Sequence, residues 1–120
     1  MTSLNMDMPP PLDLGPLDAE QLAEAVRALW EQRPKVYVIT APDEADRRFA
    51  QLIDNLTPND STGRDRSVRT EAGSVRIITT NQANQLRGPI GRFIIDHGAL
   101  DDLDTEKADL IRSSAMLASR

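Results

Sequence analysis

One run of six residues, Lys35–Thr40 (KVYVIT), constrains the fold of this chain more than any other stretch. It is apolar and β-branched almost throughout, which is typical of a strand covered on both faces in a parallel sheet. Pro42 suits the first turn of a helix, and apolar residues then recur at helical spacing as far as Pro58. The stripe consists of Ala45, Phe49, Leu52, Ile53 and Leu56. A strand followed directly by an amphipathic helix predicts half of a βαβ unit.

The remaining segments extend this pattern in both directions. Asp18 with Gln21 has capping-box spacing and predicts a helix that ends at Pro34. The polar stretch 59–66 is predicted to be a loop, and segments 67–72 and 75–80 predict a hairpin around Gly73 and Ser74. A second buried strand, 93–95, is followed by an acidic turn and a last helix that begins near Asp104 or Thr105. The alternation predicts a small three-layer α/β sandwich with a mostly parallel sheet.

The first 17 residues differ from the rest in composition. They are rich in proline, which blocks helix and disfavours strand pairing, so we expect a flexible arm at 1–17 and a single domain at 18–120. The arm is nevertheless rich in leucine and methionine, which suits packing along a groove of this subunit or of a neighbour. Together with the apolar stripe of the first helix, it predicts a surface for contact with a partner. The proposed contact residues are Leu12, Leu14, Leu22, Val26 and Trp30.

Composition excludes several classes of function. Fourteen basic and nineteen acidic residues give a net charge of −5, which argues against broad binding of nucleic acid, although Arg64, Arg66 and Arg69 form a local basic group. The chain has no cysteine, so disulfides and thiolate chemistry are absent. No apolar run approaches the roughly 18 residues of a membrane span. We expect a cytoplasmic protein without a metal or cofactor.

Asp96 is the first candidate site residue. An aspartate at the carboxyl end of a buried parallel strand lies in the crevice where open α/β sheets bind ligands. His97, beside it, suits a metal ligand, a general base or a strand-end histidine bonded to the backbone, but one Asp and one His are too few for a metal site. Arg87, followed by glycine, suits either an ion-paired turn or a contact to phosphate.

Residues 35–99 resemble a known family. The resemblance rests on a strand and helix (KVYVITAPDEADRRFAQLIDNL), a turn and strand (GSVRIITT), the segment LRGP, and a strand that ends in aspartate (RFIIDH). This order resembles the middle of the ATPase domain of phage terminase large subunits and of helicase-type P-loop NTPases. The resemblance implies that Asp96 takes the magnesium-binding position of the Walker B strand. It also implies that His97 replaces the glutamate that prepares water for attack.

The same resemblance predicts that the chain is not an enzyme. No G-x-x-x-x-G-K-[ST] loop precedes the first strand, so nothing cradles the phosphates of a nucleotide. We expect a non-catalytic phage or prophage-type protein that acts through protein–protein interaction, with a homo-oligomer as one form. The alternative is a nucleotide-binding component that a partner completes in trans with its phosphate loop. A third hypothesis, nucleic-acid binding through Arg64, Arg66, Arg69 and Arg87, is disfavoured by the net charge.

Overall fold

The structure, a computed structural model, describes residues 12–13, 18–83, 91–101 and 103–118. Of the predicted site residues, Leu14 and Arg87 lie outside this part of the chain. Its elements in chain order are β1 (Leu12–Asp13), α1 (Ala19–Trp30), β2 (Lys35–Thr40), a 3-10 turn (Pro42–Glu44), α2 (Ala45–Leu56), β3 (Asp60–Thr62), β4 (Ser67–Arg69), β5 (Ser74–Thr79), α3 (Thr80–Ala83), β6 (Arg92–Ile95) and α4 (Thr105–Ala118).

The strands form one sheet in the order β1-β6-β2-β5-β4-β3. The pairs β1–β6, β6–β2 and β2–β5 are parallel, whereas β5–β4 and β4–β3 are antiparallel. The predicted α/β class is confirmed, but the sheet is mixed and not mostly parallel. The reason is local, because short turns connect β3, β4 and β5, and a short turn can join only antiparallel neighbours.

Three short elements depart from the predictions. Asp60–Thr62, within the predicted loop, pairs with Ser67–Arg69 as an edge strand. Its three residues are exposed, so backbone pairing alone defines it and no apolar pattern marks it in the sequence. Leu12–Asp13, within the predicted flexible arm, pairs with β6. The four-residue helix α3 likewise follows β5 where only a polar crossover was predicted.

One face of the sheet packs against α1 and α2. Every second residue of each strand points to this side and contacts the apolar stripes of the two helices. The fully or largely buried members of this first core are Leu22, Ala23, Val26, Leu29, Trp30, Val36, Val38, Ala45, Leu52, Leu56, Val68, Val75, Ile77 and Ile94. Leu22 and Val26 are 0% exposed, which corrects their prediction as contact residues: the sheet of the same chain already covers the stripe of α1.

The other face packs against α4 and the turn that follows β6. Its buried members are Ile39, Ile78, Phe93, Ile95, Ala99, Leu100, Ala108 and Ile111, and Tyr37 and Leu103 pack against them. Helices therefore lie on both sides of the sheet, as the three-layer prediction requires. The second core covers the carboxyl-terminal half of this face, because Ile39, Ile78 and Ile95 lie at the ends of their strands.

The end of α1 is fixed to the start of β5 through Trp30. The indole Nε1 donates to the Ser74 carbonyl at 2.9 Å, and the Ser74 N–H donates to the Pro34 carbonyl at 2.7 Å. Gly73 makes this approach possible, since a Cβ at that position would lie 2.6 Å from Trp30 Cδ1. The glycine of the predicted hairpin turn thus also serves helix–sheet packing.

Candidate functional site

Asp96 lies at the carboxyl end of β6, beside the end of the central strand β2. Its backbone N–H donates to the Ile39 carbonyl at 2.9 Å, which extends the β2–β6 ladder by one bond. The residue is 5% exposed, and Thr40 at the end of β2 is 0% exposed. The predicted position of Asp96 in the crevice at the ends of parallel strands is therefore observed, but the crevice is closed by other side chains.

Arg48, on α2, is the group that closes it. Its Nε donates to Asp96 Oδ2 and its Nη2 to Asp96 Oδ1, each at 3.0 Å. The side chains are 7% and 5% exposed, so this is a buried two-point ion pair. Such a fork-to-carboxylate geometry is stronger and more specific than a single charge-assisted hydrogen bond.

The two charged groups have further partners. The carboxylate also accepts from the His97 backbone N–H at 3.0 Å and lies 3.4 Å from Thr40 Oγ1. Gln51 Oε1 accepts from Arg48 Nη1 at 2.9 Å, which holds the guanidinium in place. Both carboxylate oxygens are thus engaged by donors from β2, α2 and the turn after β6. A buried charge pair of this kind persists only when its remaining hydrogen-bonding capacity is satisfied in this way.

This arrangement suits a structural connection better than a cation site. A divalent cation at Asp96 would have to displace the Arg48 guanidinium, because two positive groups cannot share one buried carboxylate without strong repulsion. Within the residues that the structure describes, no cluster of three or more metal-ligating side chains is present. The pair therefore fixes α2 against the carboxyl end of the sheet.

His97 does not join Asp96 in a shared site. Its side chain is exposed, and the bond between the two residues runs from the His97 backbone and not from the imidazole. The turn continues through Gly98, whose φ of 79° favours glycine, and it returns through Ala99 N–H to the Asp96 carbonyl at 3.1 Å. Of the three residues predicted around this crevice, the structure places Asp96 inside it and His97 at its surface, and Arg87 lies outside the described residues.

Arg48 is the site residue that sequence reasoning missed. The buried positions of α2 are Ala45, Arg48, Leu52 and Leu56, so the arginine lies on the same helical face as the apolar residues. A charged residue at a core-facing position of an amphipathic helix requires a buried partner of opposite charge. That spacing was the available signal, and Asp96 at the end of a buried strand was the matching carboxylate.

The predicted basic group of three arginines is not assembled as one patch. Arg66 Nε donates to Asp46 on α2 at 2.8 Å, so its charge is paired. Arg69 is exposed in β4, where its neighbour Val68 points to the α1 and α2 side. Alternation therefore places Arg69 on the opposite side of the sheet.

A surface cleft of about 480 Å³ lies between the ends of α1 and α2 and the β4–β5 turn. We call it the Trp30 cleft; its lining is Arg27, Trp30, Glu31, Leu56, Thr70 and Ala72. Trp30 and Leu56 are 9% and 6% exposed, so each presents only an edge there. Trp30 is thus the one predicted contact residue on α1 that borders an open surface feature.

Comparison with known proteins does not assign this chain to a family. No protein-family model matches the chain, and no curated protein or solved structure matches it. Among the described residues, none of the helices is long and apolar enough to cross a membrane. The functional interpretation therefore depends on the arrangement of the side chains themselves.

Proposed function

We propose that this chain is a non-catalytic binding protein that acts through contact with a protein partner. The observation that supports the non-catalytic part of the proposal is the two-point bond between Arg48 and Asp96, which occupies the carboxylate that the terminase resemblance assigns to magnesium. The proposal retains the resemblance to such an ATPase domain, in which β2, α2, β5 and β6 follow one another and Asp96 ends β6. In this proposal the ancestral metal position has become a buried structural bond.

The contact surface that we propose is the Trp30 cleft. Trp30 and Leu56 contribute apolar edges to its lining, and Arg27 and Glu31 contribute charged groups. Protein–protein contacts usually combine apolar and aromatic residues with polar groups. The simplest partner is a second copy of the chain, in keeping with the homo-oligomer expected from the sequence.

A nucleotide-binding component completed in trans is the weaker proposal. A phosphate loop donated by a partner would have to approach Asp96 and His97, yet Arg48 and Thr40 already fill the space around the Asp96 carboxylate. The exposed His97 imidazole borders a surface pocket of about 220 Å³, which Asp101 and Arg112 also line.

The test combines a magnesium–nucleotide titration with sedimentation velocity on the same sample. We expect no nucleotide binding and a mass that rises with protein concentration. Ala72→Arg places a long cation in the Trp30 cleft and should abolish the rise, whereas Ala28→Arg, at an exposed position of α1 outside the cleft, should not. Saturable, magnesium-dependent nucleotide binding by the wild-type chain would overturn the proposal.

A further inference from the structure

The amino-terminal half of the sheet face opposite α1 and α2 has an unusual composition. Val36, Val68 and Val75 point into the first core, so the residues on either side of them in β2, β4 and β5 point the other way. We call this surface the basic sheet face; it consists of Lys35, Tyr37, Ser67, Arg69, Ser74 and Arg76. It lies beyond the isoleucines that the second core covers.

The cations of this face lie close together. Lys35, Arg69 and Arg76 are all exposed, and the register places Arg69, Ser74 and Lys35 in one row across three strands. Neighbouring strands lie about 4.8 Å apart, so Arg69 and Lys35 begin about 10 Å from each other. Among the described residues, none of these three cations forms a salt bridge. Arg76 Nε instead donates to the Asp65 carbonyl at 3.3 Å.

The local charge of the face differs from that of the whole chain. Two acids lie beside the three cations: Asp60 stands opposite Arg69 in the same row, and the Asp65 carbonyl accepts from Arg76. Salt screens charges beyond about 10 Å at 0.1 M ionic strength, so the acidic groups elsewhere on the chain have little effect here. The net charge of −5 therefore describes the average surface and not this one.

An aromatic ring stands beside the cations. Tyr37 is half-buried, and its ring stacks on Phe93 with centroids 5.2 Å apart and planes at 20°. Phe93 on β6 and Arg76 on β5 lie on opposite sides of β2, so Tyr37 stands between them in one row across the three strands. The short side chains of Ser67 and Ser74 leave a depression of about 150 Å³ next to it.

We propose that the basic sheet face binds single-stranded nucleic acid. The phosphates contact Lys35, Arg69 and Arg76, and one base stacks against the solvent-accessible part of the Tyr37 ring. A cationic surface with an aromatic side chain is the combination by which proteins hold single strands without sequence preference. An acidic peptide would neutralise the cations, but its carboxylates would not stack on the Tyr37 ring. The face lies on the other side of the sheet from the Trp30 cleft. Nucleic-acid binding here and protein contact at the cleft can therefore be tested independently.

The test is fluorescence anisotropy of the full chain with a labelled oligothymidylate of about 15 nucleotides, a length that a single-strand site accommodates. We expect the logarithm of affinity to fall with the logarithm of salt concentration with a slope of about −2, or 0.7 for each of three phosphates. Arg69→Gln and Arg76→Gln should each make the slope shallower by about 0.7. Tyr37→Leu, which keeps an apolar contact to Phe93, should weaken binding about fivefold or more.

The controls separate this site from general charge and from misfolding. Arg47→Gln removes an exposed arginine on α2, away from the face, and should leave binding and its salt dependence unchanged. Each variant is compared by urea unfolding, so that only variants as stable as the wild type are interpreted. Two outcomes would overturn the proposal: no binding at about 50 mM salt, or an equally long oligoglutamate that binds as tightly and is unaffected by Tyr37→Leu.

Discussion

Arg48 on α2 and Asp96 at the end of β6 are joined by two hydrogen bonds of 3.0 Å within a buried setting. Replacement of one partner leaves an unpaired buried charge, so we expect Arg48→Met or Asp96→Leu alone to lower the free energy of unfolding by about 3–5 kcal/mol. The double variant should lose clearly less than the sum of the two. Urea unfolding of the four proteins of this cycle measures the difference.

A surface pair at the start of the same helix, between Arg47 on α2 and Glu44 in the preceding turn, provides the control for this cycle. Arg47 contacts Glu44 at the surface, where a salt bridge contributes at most about 1 kcal/mol. Arg47→Met should therefore leave the urea midpoint nearly unchanged. Additive losses in the Arg48 and Asp96 cycle would contradict a direct bond between them.

Gly73→Ala is expected to disturb the contact between α1 and β5. The new Cβ would lie 2.5 Å from the Pro34 carbonyl oxygen and 2.6 Å from Trp30 Cδ1. The Pro34 carbonyl is a backbone group, so it cannot move aside at low energetic cost. Overpacking of this kind costs about 1–3 kcal/mol. Because Trp30 is the only tryptophan, its emission should also change. Gly63→Ala is the matched control, since its Cβ would meet only Phe49 Cε2 at 4.0 Å; a similar loss there would argue against the steric cause.

Thr57→Gly is expected to stabilise the chain. Thr57 ends α2 in the left-handed conformation, with φ 44° and ψ 65°, and its side chain is exposed. That conformation costs an L-residue about 1–2 kcal/mol, part of which is offset by the greater freedom of glycine in the unfolded chain. We expect a net gain of about 0.5–1 kcal/mol in thermal or urea unfolding. Thr57→Ala retains the Cβ and should gain less; equal gains would point to β-branching as the cause.

Asp18→Ala is expected to weaken the start of α1. The Asp18 carboxylate accepts from the Gln21 N–H at 2.8 Å, and Gln21 Oε1 accepts from the Asp18 N–H at 3.0 Å. Loss of an N-cap costs about 1 kcal/mol. Glu20→Gln, in the same turn but outside the cap, should change stability by less than about 0.5 kcal/mol. The fall in helical circular dichroism on heating distinguishes the two variants.

How far the sequence predicts this fold depends on whether a segment carries its own pattern. Lys35–Thr40 was predicted with its observed bounds, and the capping box of Asp18 was confirmed, because burial and capping leave local signatures. Asp60–Thr62 was missed because its order comes from pairing with β4 across the turn, and an exposed three-residue edge strand has no apolar alternation.

The site shows the same division between local and long-range information. Asp96 was identified from its place at the end of a buried strand, which is visible in the neighbouring residues. Its partner Arg48 lies 48 positions earlier, and no local rule joins the two. Leu22 and Val26 were predicted to contact a partner, whereas the sheet of the same chain buries them. An amphipathic stripe in the sequence does not show whether its own chain or a partner covers it.

The pairing of β2 also has a consequence for how the chain is made. Val36 pairs with Val75 on one side and with Arg92 on the other, 39 and 56 positions later. A ribosome that adds about 5–20 residues per second needs about 3–11 s to supply the second of these partners. During that interval an apolar strand has emerged without its neighbours. We expect α1 and α2, which flank β2 in the sequence, to shield that strand by packing early.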